Sequence, residues 1–222
     1  MSEDFYDDIS GNTTKLDLVV SGLEKIVAAI IESSSSMPNE TDILDFGICT
    51  GNGTLATLRT LELSSISYRK CWGFDSLLGL PAESKNVSVP DNWHEGAFSI
   101  SSITGKTVDG AGEYLRNKLS RFDFELVAGF YSDTLTPDLA KKMLPAKYIS
   151  IDVDLYISSV QVHKFIVENK LIIPGTIVRY DDWGGEGGFS GEHRAHLEMC
   201  EEYGINFETL DYSNGVKIMR NI

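Results

Sequence analysis

A glycine-rich turn between an apolar segment and a helical segment constrains this chain more than any other feature. Residues 43–46 read Ile-Leu-Asp-Phe, glycines follow at positions 47, 51 and 53, and a helical run begins at Thr54. This order predicts a buried strand, a tight loop and the N-terminus of a helix. Glycines in such a loop let a ligand lie against the backbone, where the N–H groups at the start of the helix point towards it.

The spacing of these glycines indicates the kind of ligand. A dinucleotide-binding loop has the pattern G-x-G-x-x-G and holds a pyrophosphate, whereas the pattern here is G-x-x-x-G-x-G. Asp45 stands two residues before the first glycine, and its charge would repel a pyrophosphate. A carboxylate suits a ligand with an ammonium and a sulfonium but no phosphate, which describes S-adenosylmethionine. An ordinary strand-to-helix turn is the alternative interpretation.

Charge and hydropathy argue against several other classes of protein. The 222 residues include 33 acidic and 19 basic side chains, for a net charge of −14, and this charge would repel a nucleic acid. No apolar run reaches the roughly 18 residues of a membrane span, and no export signal is visible. The three cysteines lie far apart, which is typical of free thiols in a reducing compartment. We therefore expect a cytoplasmic protein that binds neither nucleic acid nor membrane.

Segments with strand and helix patterns alternate along most of the chain. Residues 1–40 are expected to form a tail and an apolar helix over 15–32, and residues 41–222 to form one domain with a lid loop over 76–105. Such alternation predicts an α/β fold, with a parallel sheet covered by helices on both faces. The predicted strands are 42–46, 69–75, 124–128, 147–152 and 175–180; the predicted helices are 53–63, 107–120, 136–143, 156–169 and 191–203.

The C-terminal end has a different pattern. Asn214-Gly215 lies between the apolar runs 205–210 and 216–220, which predicts a β-hairpin. An antiparallel hairpin strand at the end of a mainly parallel sheet is typical of the Rossmann-like, seven-stranded sheet of class I methyltransferases. The apolar face of the helix over 15–32 could cover either this sheet or a partner subunit, and the second arrangement would make a homodimer.

Acidic residues follow the predicted strands. Ligands of open parallel sheets bind beyond the C-terminal strand ends, so these acids are expected to share one site. Asp75 lies 22 residues after Gly53, where a carboxylate suits hydrogen bonds to ribose hydroxyls. Asp152, Asp181 and Asp182 offer oxygen ligands for an octahedral Mg²⁺ that would acidify a substrate hydroxyl. The alternatives are a simple turn acid at 75 and a capping role for Asp181-Asp182 in the following glycine loop.

Five segments in collinear order resemble the macrocin O-methyltransferase (TylF-like) family. The resemblance runs from residue 42 to residue 200, and five ordered matches are far more specific than any one of them. The segments are Cys71–Pro81 with its Trp-Gly-Phe-Asp-Ser run, Asp91–Ser99, Gly129–Leu135, Ile151–Ser159 and Pro174–Trp183.

The resemblance implies Mg²⁺-dependent transfer of a methyl group from S-adenosylmethionine to a hydroxyl of a small polyhydroxylated molecule, such as a sugar moiety or a natural product. By position it implies Asp152, Asp181 and Asp182 as metal ligands, with Asp154 as the alternative third ligand. It also implies Asp152 as the base, and His94 in the predicted lid is a second candidate. The predicted cofactor-binding residues are Asp45, Gly47, Cys49, Thr50, Gly51, Asp75, Ser76, Gly129 and Phe130.

Three features depart from the family pattern. Cys49 stands where glycine is common, and Arg179 interrupts the fifth strand where an apolar residue is expected. A buried arginine needs a carboxylate partner, and if it neutralised Asp152 or Asp154, a metal would be unnecessary or excluded. The glycine loop 184–188 could be a lid or a connector. Cys49 and Arg179 therefore leave a catalytically silent protein with a methyltransferase fold as one alternative function. An NAD(P)-dependent Rossmann oxidoreductase is the other, although the glycine spacing and the terminal hairpin argue against it.

Aromatic and histidine side chains near these segments have two interpretations each. Trp93, Phe98 and Trp183 could form an apolar wall for the acceptor or could pack in the core. His193 and His196 lie three residues apart on the predicted helix 191–203, which is compatible with a metal but more typical of a solvent-exposed helix face.

Overall fold

The computed structural model describes residues 22–84, 87–184 and 191–222. Within these ranges the chain alternates between strands and helices in the predicted manner. The strands are β1 (Asp42–Phe46), β2 (Cys71–Asp75), β3 (Phe124–Ala128), β4 (Ala146–Ile151), β5 (Ile177–Tyr180), β6 (Phe207–Ser213) and β7 (Val216–Asn221). The helices are α1 (Leu23–Ser33), α2 (Asn52–Leu63), α3 (Ile100–Thr104), α4 (Val108–Lys118), α5 (Tyr131–Thr134), α6 (Pro137–Ala140), α7 (Tyr156–Glu168) and α8 (Gly191–Tyr203).

The strands form one seven-stranded sheet in the order β3-β2-β1-β4-β5-β7-β6. Strands β1 to β5 run parallel to their neighbours, and β7 runs antiparallel to both β5 and β6. The predicted α/β fold, with the mainly parallel sheet of class I methyltransferases, is confirmed. The strand order reverses between β1 and β4, and ligands of open α/β sheets bind beside such a reversal.

The antiparallel end of the sheet follows from a two-residue turn. Asn214 and Gly215 both have positive φ, 52° and 84°, as a type I′ hairpin turn requires. This turn joins β6 to β7, whose pairing ends at Ser213 opposite Val216. The predicted hairpin is therefore confirmed.

Two apolar clusters cover the two faces of the sheet, because successive side chains of a strand point to opposite sides. Leu44 and Phe46 of β1 pack in the cluster that includes α7. Ile43, which precedes them, packs on the other face with Leu23 and Ile26 of α1. All five residues of β1 are buried, which is typical of a central parallel strand. Helix α1 thus contributes to the core of the sheet.

Some element boundaries differ from the prediction. The predicted lid over 76–105 is not all loop, because its last residues form α3 after the N-cap Ser99. The helix predicted over 136–143 is shorter, and a helix at Tyr131–Thr134 was not predicted. Residues 15–21 of the first predicted helix and most of the glycine loop 184–188 lie outside the described residues. No helix in the described part of the chain is long and apolar enough to cross a bilayer.

Candidate active site

A cavity of about 620 Å³ lies at the C-terminal edge of the sheet, beside the reversal between β1 and β4. Its volume falls in the range of small-molecule sites. The structure brings most of the predicted site residues to its wall, namely Gly47, Cys49, Asp75, Ser76, Gly129, Phe130, Asp152, Asp181 and Asp182, and also Asp154. The remaining predicted residues, Asp45, Thr50, Gly51 and His94, are not among the residues that line it.

The glycine loop after β1 lies against the loop after β4. Gly47 has φ +84°, and a Cβ at this position would lie 1.7 Å from the carbonyl oxygen of Asp152. A side chain is therefore excluded here by contact as well as by backbone conformation. Cys49, the departure from the family pattern, also adopts a positive φ of 46°, so the loop keeps a glycine-like conformation at this residue.

Asp75, at the end of β2, is held by the backbone of two loops. Its Oδ2 accepts the Cys49 N–H at 2.8 Å and its Oδ1 accepts the Leu77 N–H at 2.7 Å. Burial raises the pKa of this carboxyl, and the two N–H donors oppose the rise. Each carboxylate oxygen can accept a second hydrogen bond, so Asp75 can still bind a hydroxyl from the cavity.

The underside of the glycine loop is fixed by a lysine that the sequence analysis did not select. Lys118, at the end of α4, donates from Nζ to the carbonyl of Thr50 at 3.0 Å and also to the side chain of Asn52. Gly51, with φ +73°, forms the N-cap of α2. Thr50 and Gly51 therefore shape the loop, and their predicted contact with a cofactor stays a prediction.

Asp45 lies below the cavity and is 8% exposed. Burial raises the pKa of its carboxyl, while the hydroxyls of Thr54 and Ser150 and the charge of Arg179 act in the opposite direction. A direct contact of Asp45 with the cofactor stays a prediction.

Three carboxylates, here called the acid triad, converge where the loops after β4 and β5 meet. Asp152, Asp154 and Asp182 each offer an oxygen, and these oxygens lie within 4.8 Å of one another. Burial raises the pKa of Asp154 to about 8, and the charge of Asp182 adds to the rise. Burial also raises the pKa of Asp152 well above its ordinary value, with the charge of Asp181 as the next cause. Such a set is costly unless a cation satisfies it.

Asp181 belongs to a different pair. Its carboxylate accepts a hydrogen bond from the guanidinium of Arg179, whose side chain is 7% exposed. The expected partners of Arg179 were Asp152 or Asp154; the structure adds Asp181 as a hydrogen-bond partner, and the charge of Asp152 also acts on the guanidinium. Arg179 and Asp181 are two residues apart, so their side chains leave the extended chain on the same face. The structure thus groups Asp154, the alternative ligand, with Asp152 and Asp182, whereas Asp181 faces the arginine.

Glu192, in the first turn of α8, is a buried acid that the sequence analysis missed. Its side chain accepts the N–H of Val153 at 2.9 Å and the N–H of Asp182 at 3.0 Å. Burial raises the pKa of this carboxyl well above its ordinary value, and the two N–H donors oppose the rise. An acid at a helix N-terminus is common because it complements the helix dipole, so the sequence carried no distinct signal for this role.

The segment 76–105, predicted as a lid, contacts the start of α7 through a second acid that was not predicted. Glu83 accepts the N–H of Tyr156 at 2.7 Å and that of Ile157 at 3.1 Å. These donors belong to the first turn of the helix and lack partners within it. The contact holds this segment beside the acid triad. Ser76, by contrast, donates to the carbonyl of Gly79 at 2.7 Å and stabilises the turn at which the segment begins.

His94 does not face the cavity in this structure. Its ring is exposed, and its Nδ1 lies 3.0 Å from the carbonyl oxygen of Glu95. Two aromatic residues of the same segment, Trp93 and Phe98, do line the cavity, as expected for an apolar wall. Trp183 is buried outside the cavity lining and stacks on His193 with ring centroids 4.4 Å apart.

The other histidine of α8 is in the core. His196 is 2% exposed, and its Nδ1 lies 2.9 Å from the hydroxyl of Tyr180. The same hydroxyl lies 2.9 Å from Nε2 of His163 on α7. The interpretation of His196 as part of a solvent-exposed face was therefore wrong. This hydrogen-bonded series instead connects α7, β5 and α8 behind the acid triad.

Comparison with known proteins gives one family and a set of similar folds. A profile of the macrocin-O-methyltransferase (TylF) family matches residues 20–198. No curated protein matches the sequence. The calicheamicin methyltransferase CalS11 has a TM-score of 0.64 and 18% identity, over 87% of this chain and 76% of that chain.

Two further solved structures have the same fold. The O-methyltransferase NovP has a TM-score of 0.64 and 18% identity, over 89% of this chain and 78% of that chain. An O-methyltransferase from Bacillus cereus, in complex with S-adenosylhomocysteine, has a TM-score of 0.54 and 14% identity, over 99% of this chain and 96% of that chain. At 14–18% sequence identity, these similarities show a shared fold.

Proposed function

Because the chain belongs to the macrocin-O-methyltransferase (TylF) family of S-adenosylmethionine-dependent O-methyltransferases, we propose that it methylates a hydroxyl of a small polyhydroxylated molecule with the assistance of Mg²⁺. The acceptor class that we propose is a sugar moiety or another natural product. The observation that carries the proposal is the convergence of Asp75 and the acid triad on one cavity at the strand ends.

The cavity fits S-adenosylmethionine on several counts. Gly47 leaves bare backbone at its floor, where a Cβ would meet the loop after β4. Asp75 keeps acceptor capacity for ribose hydroxyls at one side;. Gly129 and Phe130 line the same side after β3, and we assign them to the adenosine part. Five aspartates and no lysine or arginine are among the described residues that line the cavity, which favours a ligand that carries a sulfonium.

The acid triad fits Mg²⁺ by the chemistry of its donors. Carboxylate oxygens are the ligands that this ion prefers. The triad offers one such oxygen from each of three residues, and these oxygens lie within 4.8 Å of one another, so a single ion could contact all three. We assign Asp152, Asp154 and Asp182 as the residues that would hold the ion, and Asp181 as the partner of Arg179.

Bound S-adenosylmethionine supplies an electrophilic methyl group, and bound Mg²⁺ supplies a Lewis acid that lowers the pKa of a hydroxyl. The chain's own residues align and deprotonate the acceptor. Asp152 belongs to the triad and lines the cavity, and its backbone carbonyl lies against Gly47 of the glycine loop. Its carboxylate is therefore the base that we propose for the hydroxyl proton. His94 is exposed in this structure, which favours Asp152 over it.

The apolar part of the cavity wall is suited to the remainder of the acceptor. Leu80, Trp93, Phe98 and Ile157 line this part of the cavity, and aromatic side chains often pack against the apolar faces of sugar and polyketide rings. CalS11 is a TDP-rhamnose 3′-O-methyltransferase, which is a precedent for a sugar hydroxyl on this fold.

The two alternative functions have less support. An NAD(P) pyrophosphate would lie close to the carboxylates of Asp75 and Asp152, which would repel it. The hypothesis of a catalytically silent protein rested on two departures from the family pattern, Arg179 and Cys49. Arg179 bonds to Asp181, and Cys49 adopts the backbone conformation of a glycine and donates to Asp75, so neither residue blocks the site.

Calorimetric titration with S-adenosylhomocysteine, with and without Mg²⁺, tests this function. We expect micromolar binding of S-adenosylhomocysteine, a heat signal for Mg²⁺ in its presence and no binding of NAD⁺. Methyl transfer to a panel of glycosylated natural products, with EDTA as the metal-free control, then identifies the acceptor. Binding of NAD⁺ in place of S-adenosylhomocysteine would favour the oxidoreductase, and absence of both would favour the silent protein.

A further inference from the structure

We propose that Glu192 is a positioning residue that sets the geometry of the acid triad. The inference rests on the proposed function, because it concerns the residues to which that function assigns Mg²⁺. Glu192 is not among the described residues that line the cavity.

One carboxylate joins the two loops that carry the triad. One oxygen of Glu192 accepts the N–H of Val153, which lies between Asp152 and Asp154, and the other accepts the N–H of Asp182. The loop after β4 is thereby fixed to the loop after β5 at the points where the triad side chains begin. Residues that orient metal ligands in this way typically change metal affinity by about 10- to 100-fold.

The packing of α8 places this carboxylate between the loops. Helix α8 begins at Gly191, where a Cβ would lie 2.2 Å from the backbone nitrogen of Tyr156 at the start of α7. Only a residue without a side chain allows the two helix ends to approach so closely. The next residue is then fully buried, and its side chain points at the backbone of both loops.

The chemical type of the residue matters as well as its place. A buried carboxylate beside Asp154 and Asp182 is electrostatically unfavourable, so a purely structural role would be better filled by a neutral side chain. A carboxylate offers two equivalent acceptor oxygens, whereas an amide offers one oxygen and one N–H₂ group. In Glu192→Gln the N–H₂ group would face one of the two backbone N–H donors, and one connection between the loops would be lost with little change in volume.

Calorimetric titration of Mg²⁺ into the complex with S-adenosylhomocysteine tests the inference. We expect Glu192→Gln to bind Mg²⁺ at least about tenfold more weakly than the wild type, while its affinity for S-adenosylhomocysteine stays within about twofold. Glu201→Gln, an exposed glutamate on the same helix, is the matched control and should match the wild type in both affinities. If Glu192→Gln does not fold, Glu192→Asp, whose shorter side chain cannot span both donors, is compared in the same way.

Each result bears on a distinct claim. Unchanged Mg²⁺ affinity in the variant would overturn the positioning role, and so would a parallel loss of both affinities, which indicates general destabilisation. Failure of both Glu192 variants to fold would make the residue a core stabiliser and would also overturn it. A wild type that binds S-adenosylhomocysteine but no Mg²⁺ would contradict the metal part of the proposed function and this inference with it.

Discussion

The backbone N–H of Cys49 donates to Oδ2 of Asp75 at 2.8 Å, and this bond joins the loop after β1 to the end of β2. Leu77 completes the arrangement from the other side, with its N–H 2.7 Å from Oδ1. Both donors have positive φ, 46° and 62°, a conformation that non-glycine residues adopt at a cost. The carboxylate thus stabilises two strained residues on the cavity wall.

Replacing Asp75 should affect cofactor affinity more than folding. In Asp75→Ala both N–H groups lose their acceptor, but the open cavity lets water reach them. We expect an affinity for S-adenosylhomocysteine lower by on the order of 100-fold, because a charged hydrogen bond contributes about 1.5–3 kcal/mol. Titration calorimetry measures the affinity, and Asp138→Ala, whose side chain is 88% exposed, is the control. Equal affinity in Asp75→Ala would remove this residue from the cofactor site.

The contact between Gly47 and Asp152 predicts a large loss of stability in Gly47→Ala. The new Cβ would lie 1.7 Å from the carbonyl oxygen of Asp152, at φ +84°, so the loops after β1 and β4 would have to separate. We expect a loss of about 2–5 kcal/mol in the free energy of unfolding, the sum of overpacking and left-handed strain.

Gly105→Ala is the matched control, because Gly105 also has a positive φ, +69°, but a methyl group added there would have nothing within 4 Å. Strain alone should then cost about 1–2 kcal/mol. Urea unfolding measures both variants, and similar losses in the two would show that the loops do not touch closely at Gly47.

The fold followed from the sequence because its signals are local and periodic. Several elements are predicted from their own residues alone, without reference to distant parts of the chain. Examples are the apolar run of β1, the Asn214-Gly215 turn and the apolar spacing of α1. The short helix Tyr131–Thr134 was not predicted, because a single turn of helix is too short to show a periodic apolar pattern.

The site was harder to predict because side-chain direction decides it. Arg179 and Asp181 lie two residues apart and therefore leave the extended chain on the same face, whereas Asp182 lies with Asp152 and Asp154. That rule, applied to the sequence, would have paired Arg179 with Asp181. Glu192 and Glu83 accept hydrogen bonds from backbone N–H groups that lie 39 and 73 residues away along the chain. No local sequence pattern predicts partners at such separations.

The different surroundings of Asp154 and Asp181 predict different effects on metal binding. Asp154→Asn removes a triad carboxylate, and we expect it to weaken Mg²⁺ binding by about 10- to 100-fold. Asp181→Asn should weaken it less but should lower the melting temperature more, because the buried guanidinium of Arg179 loses its carboxylate partner;. Calorimetry and thermal unfolding measure the two effects. A greater loss of Mg²⁺ affinity in Asp181→Asn would restore Asp181 as a ligand in place of Asp154.

The buried histidine of α8 predicts how acid destabilises the protein. Burial lowers the pKa of His196 to about 4, and the charges of His193 and Lys217 add to the effect. In the unfolded chain the pKa is about 6.5. Between these values the unfolded state binds a proton that the folded state does not, so the contribution of His196 to stability is complete above pH 6.5 and falls as the pH drops towards 4.

At pH 5 the contribution of His196 to the free energy of unfolding should be about 2 kcal/mol smaller than at pH 7.5. We therefore expect His196→Asn to be less stable than the wild type at pH 7.5, since it loses ring contacts with Tyr180 and Trp183, and to lose less stability than the wild type on acidification. Acids with raised pKa, such as Asp154, change the stability in the opposite direction, but they are common to both proteins and cancel in the comparison. Urea unfolding at pH 7.5 and 5 gives the difference at each pH. If the difference in free energy of unfolding between the two proteins is the same at both pH values, His196 has the same pKa in the folded and unfolded states. That result would contradict the prediction.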